Sequence, residues 1–125
     1  MNAARSPQRL LSSRQFRKVY EQGRKFQTTY FTAFFLKQDG GEQRAGITVT
    51  RKIGNAVVRN RCKRRLREIV RKHQLDELNG VGFDLVLNVK SGLAQAEFKV
   101  LEADFLQTLS RFRSFCRQQE AKVEQ

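Results

Sequence analysis

At 125 residues the chain has room for one domain, large enough to bury about two-thirds of its unfolded surface and to fold without covalent or metal staples. Its 25 lysines and arginines against 12 acids give a net charge of +13 and a pI near 10.7, a field that draws RNA, DNA or an anionic membrane surface. No apolar run suffices for a transmembrane helix or a secretory core, so neither span nor leader is expected and the protein is expected in the cytoplasm.

Residues 1–11 are polar and basic and hold the only proline, Pro7, which predicts a basic arm mobile in part. Ser12 or Ser13 then caps a short helix with Phe16, Val19 and Tyr20 on one face, and Gly23 ends it. Residues 24–36 read RKFQTTYFTAFFL, a strand composition, and residues 44–50 form a second strand after the turn signal Asp39-Gly40-Gly41. The two are expected to pair as an antiparallel hairpin. Residues 30–36 are apolar on both alternating faces, so either helices cover both sides of the sheet or one side stays open as an aromatic surface able to stack on unpaired bases.

The densest stretch is residues 51–72, with ten lysines and arginines and a single acid, Glu68. Gly54 supplies a turn, Asn55 a cap, and a helix should start near Ala56. At about 100° per residue, Val58, Cys62, Leu66, Ile69, Val70 and His73 share an apolar sector. Asn60, Lys63, Arg64, Arg67 and Arg71 fall opposite, with Arg61, Arg65, Glu68 and Lys72 in the next row and Arg59 on the other flank. Like charges at i, i+4 repel, and a solvated face would mix in acids to relieve them. Phosphate relieves them instead, helped by the positive end of the helix dipole near Arg59 and Arg61.

Residues 75–82 read as a linker with a turn at Asn79-Gly80, and residues 83–89 as a strand lying beside the hairpin. Strand, helix, strand order permits a parallel crossover. A last helix over residues 94–117 buries Phe98, Leu101, Phe105, Leu109, Phe112 and Cys116, and residues 118–125 form a frayed tail. The fold class is a single α/β domain in αβββαβα order. Cys62 and Cys116 read as buried free thiols, with no disulfide or zinc spacing.

A search for catalytic groups finds one histidine, His73, at a core edge. No carboxylate pair sits in an apolar setting, no nucleophile stands beside a base, and no glycine loop would cradle phosphate. Any associated activity should draw its catalytic groups from elsewhere.

The run from Lys52 through Arg64, KIGNAVVRNRCKR, resembles the signature helix of the bacterial ribonuclease P protein subunit, whose hallmark is Arg-Asn-Arg, one variable residue, then Lys-Arg. Phe16-Arg17-Lys18-Val19-Tyr20 is similar to that family's N-terminal Phe-x-x-Val segment, and the order of elements agrees over nearly the whole chain. The resemblance implies an α/β domain with a left-handed βαβ crossover, against the usual right-handed preference. It implies that an RNA subunit is the catalyst and uses Mg²⁺ to remove the 5′ leader from precursor tRNA, the protein holding no cofactor itself. Expected partners are the ribonuclease P RNA and precursor tRNA, with no membrane and no protein partner required.

Under that resemblance Arg59, Asn60, Arg61, Lys63 and Arg64 contact the RNA subunit, and Arg67 and Arg71 extend the same face. Phe16, Tyr20 and Phe34 line a cleft for the single-stranded leader, with Arg51 and Lys52 on its phosphates. Two other classes fit in part. A general RNA-binding protein of the ribosome matches the charge and aromatics but not the signature helix. A DNA regulator would need base-reading side chains on a helix that here offers mainly phosphate contacts.

Overall fold

The computed structural model describes residues 8–9, 12–77 and 80–124. Ser12 starts helix α1 (Ser13–Gln22) with a capping box: its hydroxyl accepts the Gln15 N–H, and the Gln15 side chain accepts the Ser12 N–H. At Gly23, which ends the helix, an added Cβ would meet the carbonyl oxygens of Val19 and Phe35 at 2.4 and 3.0 Å, so only glycine lets the strand follow so closely.

The single strand expected over residues 24–36 is two: β2 (Arg24–Gln27) and β3 (Phe31–Gln38), antiparallel to each other. Thr28 makes the turn, its N–H and its hydroxyl both donating to the Phe31 carbonyl at 2.9 Å. A threonine thus supplies what glycine or proline usually signals.

The hairpin expected between residues 24–36 and 44–50 does not form. Strand β5 (Gly82–Val89) inserts between β3 and β4 (Gln43–Thr48), antiparallel to the first and parallel to the second. With β1 (Gln8–Arg9) beside β4, the sheet order is β1-β4-β5-β3-β2. Burial decides this: β5 is buried at every position but Asn88, whereas β4 is only half-buried throughout. The most apolar strand takes the centre, where both faces and both edges are covered.

Helix α2 (Ala56–Glu77) is the parallel crossover from β4 to β5. A 3₁₀ turn, Leu93–Gln95, precedes α3 (Phe98–Glu124), which starts later than expected and continues through residues placed in a frayed tail. Residues 118–124 are mostly glutamine, glutamate, alanine and lysine, all good helix formers. Residues 1–7, 10 and 11 of the expected arm, and Asn79 of the expected turn, lie outside the described residues.

The core lies between the sheet and α2 with α3. Phe31 and Phe35 of β3 and Leu85 and Leu87 of β5 meet Leu66 and Ile69 of α2 and Leu101, Phe105 and Phe112 of α3. Phe35 stacks on Phe112 with ring centres 4.3 Å apart. Alternate residues face the other way: Phe34, Leu36 and Val86 pack under Val19, Phe16 and Tyr20 of α1. Both alternatives left open for residues 30–36 hold in part. Helices cover both faces, but Phe34 and Leu36 under α1 remain half-exposed. Cys62 and Cys116 are buried free thiols, and desolvation pushes both up from the ordinary thiol pKa.

Candidate nucleic-acid interface

Two surfaces on opposite sides of the sheet carry the residues expected to function. The first is the outer side of α2. Asn55 caps it, accepting the Val58 N–H on Oδ1 at 3.0 Å, while the Asn55 carbonyl accepts from Arg59 N–H at 2.9 Å. Gly54 before it, at φ +156°, leaves no room for a side chain: an added Cβ would lie 2.9 Å from Val58 Cβ.

The side chains of Arg59, Asn60, Lys63, Arg64 and Arg67 have no hydrogen-bond or ion-pair partner among the described residues. Asn60, Arg64, Arg67, Glu68 and Arg71 line a shallow concavity of about 400 Å³ along the helix. Arg71 departs from the rest: its Nη2 donates to both carboxylate oxygens of Glu68 at 2.7 Å, and this contact holds the Glu68 carboxyl below its usual range.

Two arginines of the row beside them turn toward the segment before α3. Arg65 Nη1 donates to the carbonyls of Leu93 and Ala94 at 2.6 and 3.0 Å, and its Nη2 to that of Ala96. Arg61, expected on the RNA side, donates Nε to the Ala94 carbonyl at 2.8 Å, and only its other N–H groups have no partner among the described residues. These arginines explain the late start of α3. They draw the carbonyls of Leu93, Ala94 and Ala96 toward α2, and Ala96 is extended at ψ 150°. Sequence pattern missed the Arg65 role because a row of arginines gives no sign of a carbonyl cluster that comes from another element.

The second surface is the sheet face beside α1. Tyr20 meets Phe34 edge-on at 5.0 Å and 84°, and Phe16 joins the same cluster over buried Val19 and Val86. The Tyr20 hydroxyl donates to Asn88 Oδ1 at 2.6 Å and lies 2.9 Å from Thr48 Oγ1. Lys25 Nζ stands 6.0 Å over the Phe34 ring. The three predicted aromatics are thus brought together, with Thr48, Asn88 and Lys25 added. Asn88 could have been found from its alternation with Asp84 and Val86, which sets it on the face opposite Leu87.

Arg51 and Lys52 occupy the exposed 3₁₀ turn Arg51–Ile53, just past the end of β4, between the two surfaces in sequence, and neither side chain pairs with an acid among the described residues. Among the described residues no group of three or more His, Cys, Asp or Glu side chains could hold a metal ion. His73 bonds Glu102 of α3 through Nε2 at 2.5 Å, joining two helices.

Such a molecule is a small basic α/β protein that presents unpaired arginines along one helix and an aromatic cluster on the far side of its sheet. The family model described as Ribonuclease P matches residues 5–113, so the chain belongs to the ribonuclease P protein family, subunits of the tRNA-processing enzyme. It is 44% identical over 105 residues to the ribonuclease P protein component of Gluconacetobacter diazotrophicus, covering 82% of this chain and 89% of that protein. To the component from Syntrophomonas wolfei it is 32% identical over 109 residues, 87% and 90% of the two chains. Among solved structures, the RNase P protein from Thermotoga maritima superimposes with a TM-score of 0.73 at 32% identity, over 83% of this chain and 96% of that one.

Proposed function

We propose that this chain binds the catalytic RNA of ribonuclease P through the outer side of α2 and the 5′ leader of precursor tRNA on the sheet face beside α1. Catalysis is assigned to the RNA subunit, with Mg²⁺ as its metal and the cytoplasm as its setting. The observation that carries the reading is the set of signature-helix side chains of Arg59, Asn60, Lys63, Arg64 and Arg67 with no partner among the described residues. Unpaired cations at helical spacing repel one another, and RNA phosphates relieve that repulsion while releasing counterions. Phe16, Tyr20 and Phe34 suit a leader of varied sequence, because stacking on an aromatic ring does not depend on which base is offered. Arg51 and Lys52, exposed in the turn between β4 and α2, are assigned to leader phosphates.

The test is cleavage of precursor tRNA at low Mg²⁺ by a bacterial ribonuclease P RNA, with and without this protein, beside the protein alone. Cleavage restored only by the pair is expected. Binding of the RNAs without any gain in rate would favour a general RNA-binding protein, and cleavage by the protein alone would overturn the assignment of catalysis. Phe16→Ala is expected to weaken precursor tRNA binding more than mature tRNA binding, and an equal loss for both would point to damage of the α1 packing.

A further inference from the structure

A third surface lies away from both of these, where edge strand β2 meets the second half of α3. A groove of about 330 Å³, at the small end of ligand clefts, is lined there by Arg24, Phe26, Arg111, Ser114 and Phe115 among others. The Arg24 guanidinium sits 4.6 Å over the Phe115 ring. The two phenylalanines are half-exposed, Arg24, Arg111 and Ser114 are exposed, and no acid lines the groove. The Arg111 side chain has no hydrogen-bond or ion-pair partner among the described residues.

We infer that this groove is a second RNA contact, taking one nucleotide of a single strand. A guanidinium set over an aromatic ring is a planar cation, and bases stack on guanidinium planes as they do on rings. Arg111, on the opposite lip, takes the adjoining phosphate, and the Ser114 hydroxyl is within the groove for a base or ribose edge. The chemistry selects a nucleotide over an acidic peptide, because a carboxylate would use the two charges but leave the Arg24 plane and the half-exposed Phe26 ring without a flat partner. The strand can come from a precursor leader or from the RNA subunit. The inference rests on the reading of the chain as an RNA-binding subunit, but not on the leader cleft.

The chain has no tryptophan, so Phe115→Trp introduces a single reporter indole. It would be titrated with an unstructured oligoribonucleotide, with precursor tRNA, and with ribonuclease P RNA, while binding is followed independently by filter retention. Quenching at saturation by any of the three supports the contact, and the arm that quenches names the source. Bound RNA with no quenching in all three arms overturns it. Should Phe115→Trp fail to fold, a dye on Ser114→Cys reads the same groove, since Cys62 and Cys116 are buried. Replacing Arg24 and Arg111 together by Gln should abolish the quenching and flatten the salt slope of binding by about 0.7 per phosphate no longer neutralised. Retained quenching in that variant also overturns the assignment. Stimulation of cleavage is read separately, so failure of the groove and failure of the subunit reading give different results.

Discussion

The Tyr20 hydroxyl ties α1 to the ends of β4 and β5 through Thr48 and Asn88, while its ring stands edge-on to Phe34. The two parts separate by substitution. Tyr20→Phe should lower stability by about 1 kcal/mol, the net worth of a part-buried hydrogen bond, and leave precursor affinity intact. Tyr20→Leu removes the ring as well and should weaken precursor binding by about 1–3 kcal/mol if one base stacks there. Thermal unfolding and a binding titration on both variants distinguish the effects. Arg64 and Arg65 are adjacent but face different partners. Arg65→Met should cost about 1.5–3 kcal/mol, because three carbonyls lose a charged donor, whereas Arg64→Met should leave the melt unchanged and reduce affinity for the RNA subunit.

Helices α2 and α3 meet at Glu102, which accepts from His73 and pairs with Lys72 at 3.2 Å. The His73 contact, then that of Lys72, holds the Glu102 carboxyl below its ordinary value of 4.5. A carboxylate whose folded pKa is depressed adds stability above the unfolded value, and that stability is lost as pH falls through the folded one. The stability difference between the protein and Glu102→Gln should therefore shrink as pH falls below about 4.5, as denaturant melts at stepped pH would read. At this scale the sequence was legible where periodicity is long. The apolar sector of α2, with Cys62, Leu66 and Ile69, and the stripe of α3, with Leu101, Phe105, Leu109 and Phe112, are fully or almost fully buried. Strand pairing was not legible. Residues 24–36 offered no glycine or proline at Thr28, and nothing local to β4 says that its neighbour lies some 40 residues on. The aromatic cluster of α1 and β3 was found, but the Arg61 and Arg65 clamp was not, since carbonyls leave no mark in a side-chain pattern.

For the molecule as a whole, the net charge of +13 should make RNA binding steeply dependent on salt. Replacing Arg59, Arg64 and Arg67 together by Ala should flatten the slope of log affinity against log salt by about 0.7–0.9 for each phosphate no longer neutralised, read by titration at several salt concentrations. An unchanged slope would move the RNA contact off α2. The place of β5 between β3 and β4 also sets an order in time. A ribosome delivers β3, β4 and the arginine-rich α2 before the strand that joins them. Until residues 82–89 emerge, neither older strand has its central neighbour, and α2 has no finished sheet to dock on. A nascent chain halted before residue 82 is expected to show no cooperative unfolding transition by circular dichroism. During synthesis the most cationic helix of the protein is therefore out in the cell before its own core exists, and the first large body it can meet is the ribosomal RNA beside it.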